Sequence, residues 1–92
     1  MIKITNKKKK SWVTFTLDAN TGESVSISGE WNDWKIEPMK VKKSGEFYIT
    51  KVMKADNNYE FGYLVNNEKW ITESDVPQVP SPFNSNNALL VL

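Results

Sequence analysis

Between Tyr59 and Val65 the chain alternates without a break. Tyr59, Phe61, Tyr63 and Val65 fall on one side of an extended segment, and Glu60, Gly62 and Leu64 on the other. A helix would scatter the four apolar side chains around its axis; a pleated strand, with its period of two, gathers them on one face. Val13, Phe15 and Leu17 repeat the pattern against Thr14, Thr16 and Asp18, and Val25 and Ile27 repeat it against serines. No segment holds the i, i+3, i+4, i+7 spacing of an amphipathic helix. The chain must build its core from strands.

Turn residues divide the strands. Asn20-Thr21-Gly22, Ser44-Gly45, Ala55-Asp56-Asn57-Asn58 and Asn66-Asn67 each supply side chains that tolerate tight turns. A short third strand is expected at Met39–Lys42 and a fourth at Glu46–Met53. In the fourth, Phe47 and Ile49 agree in phase but Val52 does not, which a bulge would repair. The clear strand at 59–65 turns at Asn66-Asn67 into a return strand, Lys69–Thr72. Residues 73–85 are expected to be irregular, because Pro77, Pro80 and Pro82 cannot donate to a ladder. Asn87–Leu92 reads as a buried closing strand. Seven short strands at this spacing predict an all-β, antiparallel, immunoglobulin-like β-sandwich.

Ninety-two residues leave room for one domain with a modest core. Its chemistry is narrow. The chain has no cysteine and no histidine, which removes disulfides, thiolate nucleophiles, Cys- or His-ligated metal and the usual catalytic dyads. All twelve basic residues are lysines, so no guanidinium fork exists to grip phosphate or guanine. No cofactor is expected: phosphate-loop and dinucleotide fingerprints are missing. Asp18, Asn20 and Gly22 faintly suggest a calcium loop, but no bidentate Glu follows at the required twelfth position.

The net charge of +1 hides an asymmetry. Lys3 and Lys7–Lys10 place five positive charges in the first ten residues, leaving seven lysines against eleven acids, a net −4, in the rest. Residues 1–9 are read as a solvated lysine-rich tail leading into a domain at 10–92. A nucleic-acid partner is not expected, since a binder would carry its positive charge on the folded body. Nor is a membrane partner: nowhere do 18 apolar residues run together, and no apolar run behind the charged start marks a secretory signal. The expected compartment is the cytoplasm.

Aromatic residues are what the chain has in excess, with four Trp, three Tyr and four Phe. Trp31 and Trp34 stand three apart in Gly29-Glu30-Trp31-Asn32-Asp33-Trp34, so alternation alone cannot put both on one sheet face. One is expected to plug the core while the turn carries the other outward. So small a sandwich needs one or two buried tryptophans, which leaves at least one exposed for a partner. Sugars suit such a surface: a pyranose packs its C–H face on an indole and offers hydroxyls to amides and lysines. Ten asparagines are available.

Three motifs then resemble one family. Val25–Gly29 followed by Glu30-Trp31-Asn32-Asp33-Trp34 and Pro38-Met39 is similar to the "G-aromatic-N-x-W" signature of family-48 carbohydrate-binding modules. These include the glycogen-binding domain of the AMP-activated protein kinase β subunit and the N-terminal domains of isoamylases and branching enzymes. Tyr59-Glu60-Phe61-Gly62-Tyr63-Leu64-Val65 and Trp70 resemble the family's "Y-x-Y-K-F-x-V-D-G-x-W" hairpin. Asn86-Asn87 before Ala88–Leu92 resembles its last strand. The motifs arrive in family order over residues 11–92.

The resemblance implies an early-set sandwich that binds α-1,4-glucan of the glycogen or starch type, with Trp34 and Trp70 stacking on glucose units and Asn86 bonding hydroxyls. It also implies a buried Trp31 and a loop contact near Pro82 or Phe83. The sequence departs from the pattern at two places: the hairpin lysine is replaced by Gly62, and the "D-G" turn by Asn66-Asn67-Glu68. Gly62 is open to two readings, a gap for a neighbouring side chain or a bulge on one hand, close approach of ligand on the other. A lost charged hydrogen bond costs a site ~1.5–3 kcal/mol, about ten- to a hundredfold in affinity. Glu60, Lys69 and Lys35 are the nearby candidates to compensate.

Catalysis is not expected. Glu30 with Asp33, or Glu60 with Glu68, are the nearest carboxylate pairs, but so little interior cannot raise one carboxyl by burial while enclosing a sugar. Two functions remain: a non-catalytic glucan-binding module, or an interaction module that docks a glycogen-metabolising enzyme.

Overall fold

In the computed structural model, which describes residues 1–81 and 86–92, the alternating segments form ten strands. They are β1 (Ile2–Lys7), β2 (Lys10–Leu17), β3 (Val25–Gly29), β4 (Glu37–Pro38), β5 (Lys40–Val41), β6 (Phe47–Lys54), β7 (Asn58–Val65), β8 (Lys69–Ile71), β9 (Gln78–Pro80) and β10 (Asn86–Val91). One sheet runs β1-β2-β6-β5; the other runs β4-β3-β7-β10-β9, with β8 also paired to β7. Every pairing is antiparallel. The fold is an all-β sandwich of immunoglobulin-like, early-set type.

The alternating apolar sets meet between the sheets. Val13 and Phe15 of β2 and Phe47 and Met53 of β6 face Val25, Ile27, Phe61, Tyr63, Val65, Ala88 and Leu90 from the other sheet, all buried. Tyr63 brings a polar tip into this core. Its hydroxyl donates to Oε1 of buried Glu73 at 2.9 Å, and the Met1 ammonium reaches the same oxygen, also at 2.9 Å. Burial, helped by the Glu73 carboxylate, holds the phenol far above its ordinary range, so it stays a donor.

Four segments differ from the sequence reading. The lysine-rich lead-in is itself a strand: β1 pairs with β2 from Ile2↔Phe15 to Lys7↔Lys10, and Lys8 turns the hairpin at φ 55°. Ile2 and Ile4 carry a two-residue alternation that the lysine run obscures. No bulge interrupts β6, which pairs with β2 in one register over all eight residues. Val52 simply faces outward beside Trp12, while Lys51 takes the inward position and reaches Glu37 with its ammonium at 2.7 Å. The expected strand at 39–42 is two short pieces, because the chain changes sheets at buried Met39. Gln78–Pro80, expected to be irregular, pairs with β10 at the sheet edge, where the proline nitrogen needs no partner.

Tyr63→Phe removes the hydroxyl donor from a buried carboxylate, a loss of about 1.5–3 kcal/mol. At about 4–8 °C per kcal/mol for a domain of this length, the thermal midpoint followed by circular dichroism is expected to fall by roughly 6–24 °C. An unchanged midpoint would mean that Glu73 is satisfied without the phenol.

Candidate functional site: a tryptophan pair on the outer sheet face

Two glycines decide where the indoles go. In the β3–β7 register Ser28 lies opposite Gly62 and Gly29 opposite Phe61, so the two glycines are near neighbours across the ladder. On the core side, a Cβ on Gly29 would lie 2.6 Å from the Trp31 ring. Trp31 stacks there on Phe15 at 5.5 Å and meets Phe61 at 5.7 Å and Tyr59 at 6.3 Å. On the outer side, a Cβ on Gly62 would fall inside the Trp70 indole. Of the two readings of Gly62, the gap for a neighbouring side chain is the one found, and Trp70 fills it.

Trp70 sits on β8 opposite Leu64, on the outward phase of Glu60 and Gly62. Trp34 arrives from the turn after β3, and the two rings lie 6.3 Å apart at 48°. Trp34 is 39% exposed and Trp70 half-buried, with neither ring between the sheets. The turn is held on several sides. Trp34 N–H donates to Gly29 O at 2.9 Å, and Ser28 Oγ donates to Trp34 O at 2.8 Å. Glu37 accepts from the Asn32 amide and from Lys51 Nζ at 2.7 Å, tying the turn to the opposite sheet. Asp33 at φ 59° and Trp34 at φ 64° are both left-handed, which is rare for residues with a Cβ and an outlier for a side chain as bulky as indole.

The other candidates divide. The Glu60 N–H donates to Glu30 Oε1 at 2.6 Å, and Glu60 Oε1 accepts from the Asn87 amide at 3.3 Å, so Glu60 lies on the same outer face. Asn86 is exposed at the start of β10 and donates to Gln78 Oε1 at 3.4 Å. It has the phase of core-facing Ala88; its neighbour Asn87 has the outward phase of Leu89, which pairs with Glu60. Alternation counted back from Ala88 and Leu90 would have singled out Asn87. Lys69 pairs with core-facing Val65, so its phase is opposite to that of Trp70. Phe83 lies outside the described residues. Among the described residues no cluster of three acids could hold a metal ion.

This outward aromatic pair, and the strand order beneath it, lie within a match to a family model. The model describes the glycogen recognition site of AMP-activated protein kinase, and it covers residues 12–92. The chain belongs to that family. It is therefore a carbohydrate-binding module of the glycogen-recognition type, a class that binds without catalysis. No curated protein matches the chain. No helix of the described residues is long and apolar enough to cross a membrane.

The clamp on the Trp34 turn titrates. The hydrogen bond from Lys51, opposed by partial burial and aided by the Asn32 amide, holds the Glu37 carboxyl below its ordinary value of 4.5. A depressed folded-state value means that its stabilisation is present above about 4.5 and is lost as pH falls below it. Acidification from pH 6 through this range is expected to loosen the turn in the wild type; Glu37→Gln, already uncharged, should lose that step. Trp fluorescence against pH, with Trp34→Phe as the reference, reads it.

Proposed function

We propose that the module holds an α-1,4-glucan against the outer face of the β3–β7–β10 sheet, with glucose units stacked on Trp34 and Trp70. One observation carries the reading: two indoles outside the core, 6.3 Å apart, one of them on a backbone conformation that costs energy. Tilted by 48°, the rings suit a chain that curves between successive sugars better than a flat one. An exposed aromatic cluster of this kind is where a binding surface concentrates its energy.

Polar groups at the rim would take the hydroxyls. Glu60 and Asn87 lie on the same face as Trp70, and Asn86 stands at the open end of β10. Gly62 contributes by what it lacks: without a side chain there, Trp70 lies down on the strand, and the contact is aromatic where the resemblance implies a charged one. Glucan binding is accordingly expected to depend little on salt. Its working compartment is proposed to be the cytoplasm, with residues 10–92 as the binding domain. Docking of a glycogen-active enzyme is the second reading, supported by the exposed indoles equally well.

Titration with maltoheptaose, followed by Trp fluorescence and calorimetry, tests the proposal. Trp34→Ala is expected to weaken binding by roughly thirtyfold, corresponding to about 2 kcal/mol for a central aromatic anchor. Gly62→Ala should displace Trp70 and weaken binding about tenfold, in the range of overpacking costs. Wild-type protein silent at millimolar sugar would favour the docking reading instead.

A further inference from the structure

The opposite broad face of the sandwich has a different character. Register assigns its outward positions on β1, β2, β6 and β5, and five of them are exposed lysines: Lys3, Lys7, Lys10, Lys40 and Lys54. No outward position on these strands is acidic. A sixth ammonium, that of Lys42, lies 5.6 Å from the Tyr48 ring on the same face. The rest of the chain carries the excess of acids, so this charge is segregated rather than balanced. At its middle, Trp12 and Val52 are cross-strand partners, exposed by 42% and 47%. The Lys7 ammonium stands 6.0 Å from the Trp12 ring.

We propose that this face is a docking surface for an anionic lipid bilayer. Three features choose a membrane over other polyanions. The molecule is slab-shaped, 36 × 35 × 22 Å, and this sheet forms one of its broad sides, a shape suited to a planar partner. An apolar Trp–Val centre ringed by ammonium groups is what the headgroup boundary takes up, indole at the interface and cations toward anionic headgroups. A single-stranded nucleic acid would need its stacking platforms close together. Trp12 is four residues along β2 from Thr16, the partner of Tyr48, roughly 13 Å at the strand rise, too far for successive bases. The lysines of the first ten residues, expected from sequence to be a solvated tail, are thereby ordered into one side of a binding face. The proposal does not depend on the glucan reading, whose residues lie on the other sheet.

Each lysine near an anionic membrane contributes roughly fivefold to partitioning. Sedimentation with mixed phosphatidylcholine–phosphatidylserine vesicles is expected to pull down the full chain at low salt, while phosphatidylcholine alone does not. Lys7→Gln/Lys10→Gln should reduce partitioning about 25-fold. The charge-matched control Lys35→Gln/Lys69→Gln, off this face, should change it less than twofold. The blue shift of Trp emission on vesicles should disappear in Trp12→Phe. Absence of binding to anionic vesicles overturns the proposal, as does equal loss in the two double variants. Tighter binding of a short oligothymidylate or of polyglutamate than of vesicles would overturn it as well.

Discussion

Two missing side chains organise this domain. Gly29 and Gly62 stand almost side by side on paired strands, and each leaves a space that an indole occupies, Trp31 on the core side and Trp70 on the outer side. A sheet ordinarily presents a continuous layer of Cβ atoms, which keeps a ring as wide as indole away from the backbone. Here the ring descends to the strand itself. On the inside this gives a small sandwich an aromatic plug among Phe15, Phe61 and Tyr59. On the outside it lays down a platform level with the neighbouring side chains. Any side chain at either glycine must move a tryptophan, so core and site are coupled through about two residues of backbone.

The two faces of the sandwich have been given different chemistry by one alternation. On the β7 sheet the outward set mixes Ser28, Glu60, Gly62 and Asn87 with Leu64, Leu89 and the indole of Trp70; on the β2 sheet it is mostly lysine and threonine around Trp12, Tyr48 and Val52. Because a strand assigns successive residues to opposite sides, each outward set could vary without disturbing the apolar set behind it. The Glu37–Lys51 pair is the exception. Lys51 occupies an inward phase on β6, and its ammonium crosses to the β4 sheet, where Glu37 holds the Trp34 turn. The sheet without the indoles thus helps to position one of them.

Where single-residue periodicity was unambiguous, the sequence was readable. The strand at 58–65, its asparagine hairpin and the closing strand at 86–91 all stand where alternation and turn chemistry put them, with Asn66 and Asn67 at φ 52° and 59°. The errors share a cause. At Ile2–Lys7 and at Val52 composition opposes phase: a lysine run suggests an unpaired tail, and an apolar residue suggests burial. A solvated face of a sheet can carry both. The pairing of β9 and the sheet change at Met39 depend on contacts between distant segments, which local spacing does not encode. At the site, residue type implies at least one exposed indole, and the family resemblance is what points to Trp34 and Trp70. That Gly62 makes room for Trp70 is not legible, because nothing in the sequence says which neighbour will occupy the empty position.

The Trp34 turn shows how the site is set against stability. A bulky residue at φ 64° costs of order 1–3 kcal/mol relative to an unstrained backbone, and glycine or asparagine at the same position would relieve most of it. Packing against Trp70 offsets part of that cost, yet the ring keeps 39% of its surface in solvent. Four hydrogen bonds help to hold the loop in place: Trp34 N–H donates to Gly29 O, Ser28 Oγ donates to Trp34 O, and the Asn32 amide and Lys51 Nζ both donate to Glu37. A domain with so small a core has little stability to give up. Placing a strained, half-solvated indole beside another one is explicable if the pair is completed by a partner that covers both rings. It is hard to explain by folding alone.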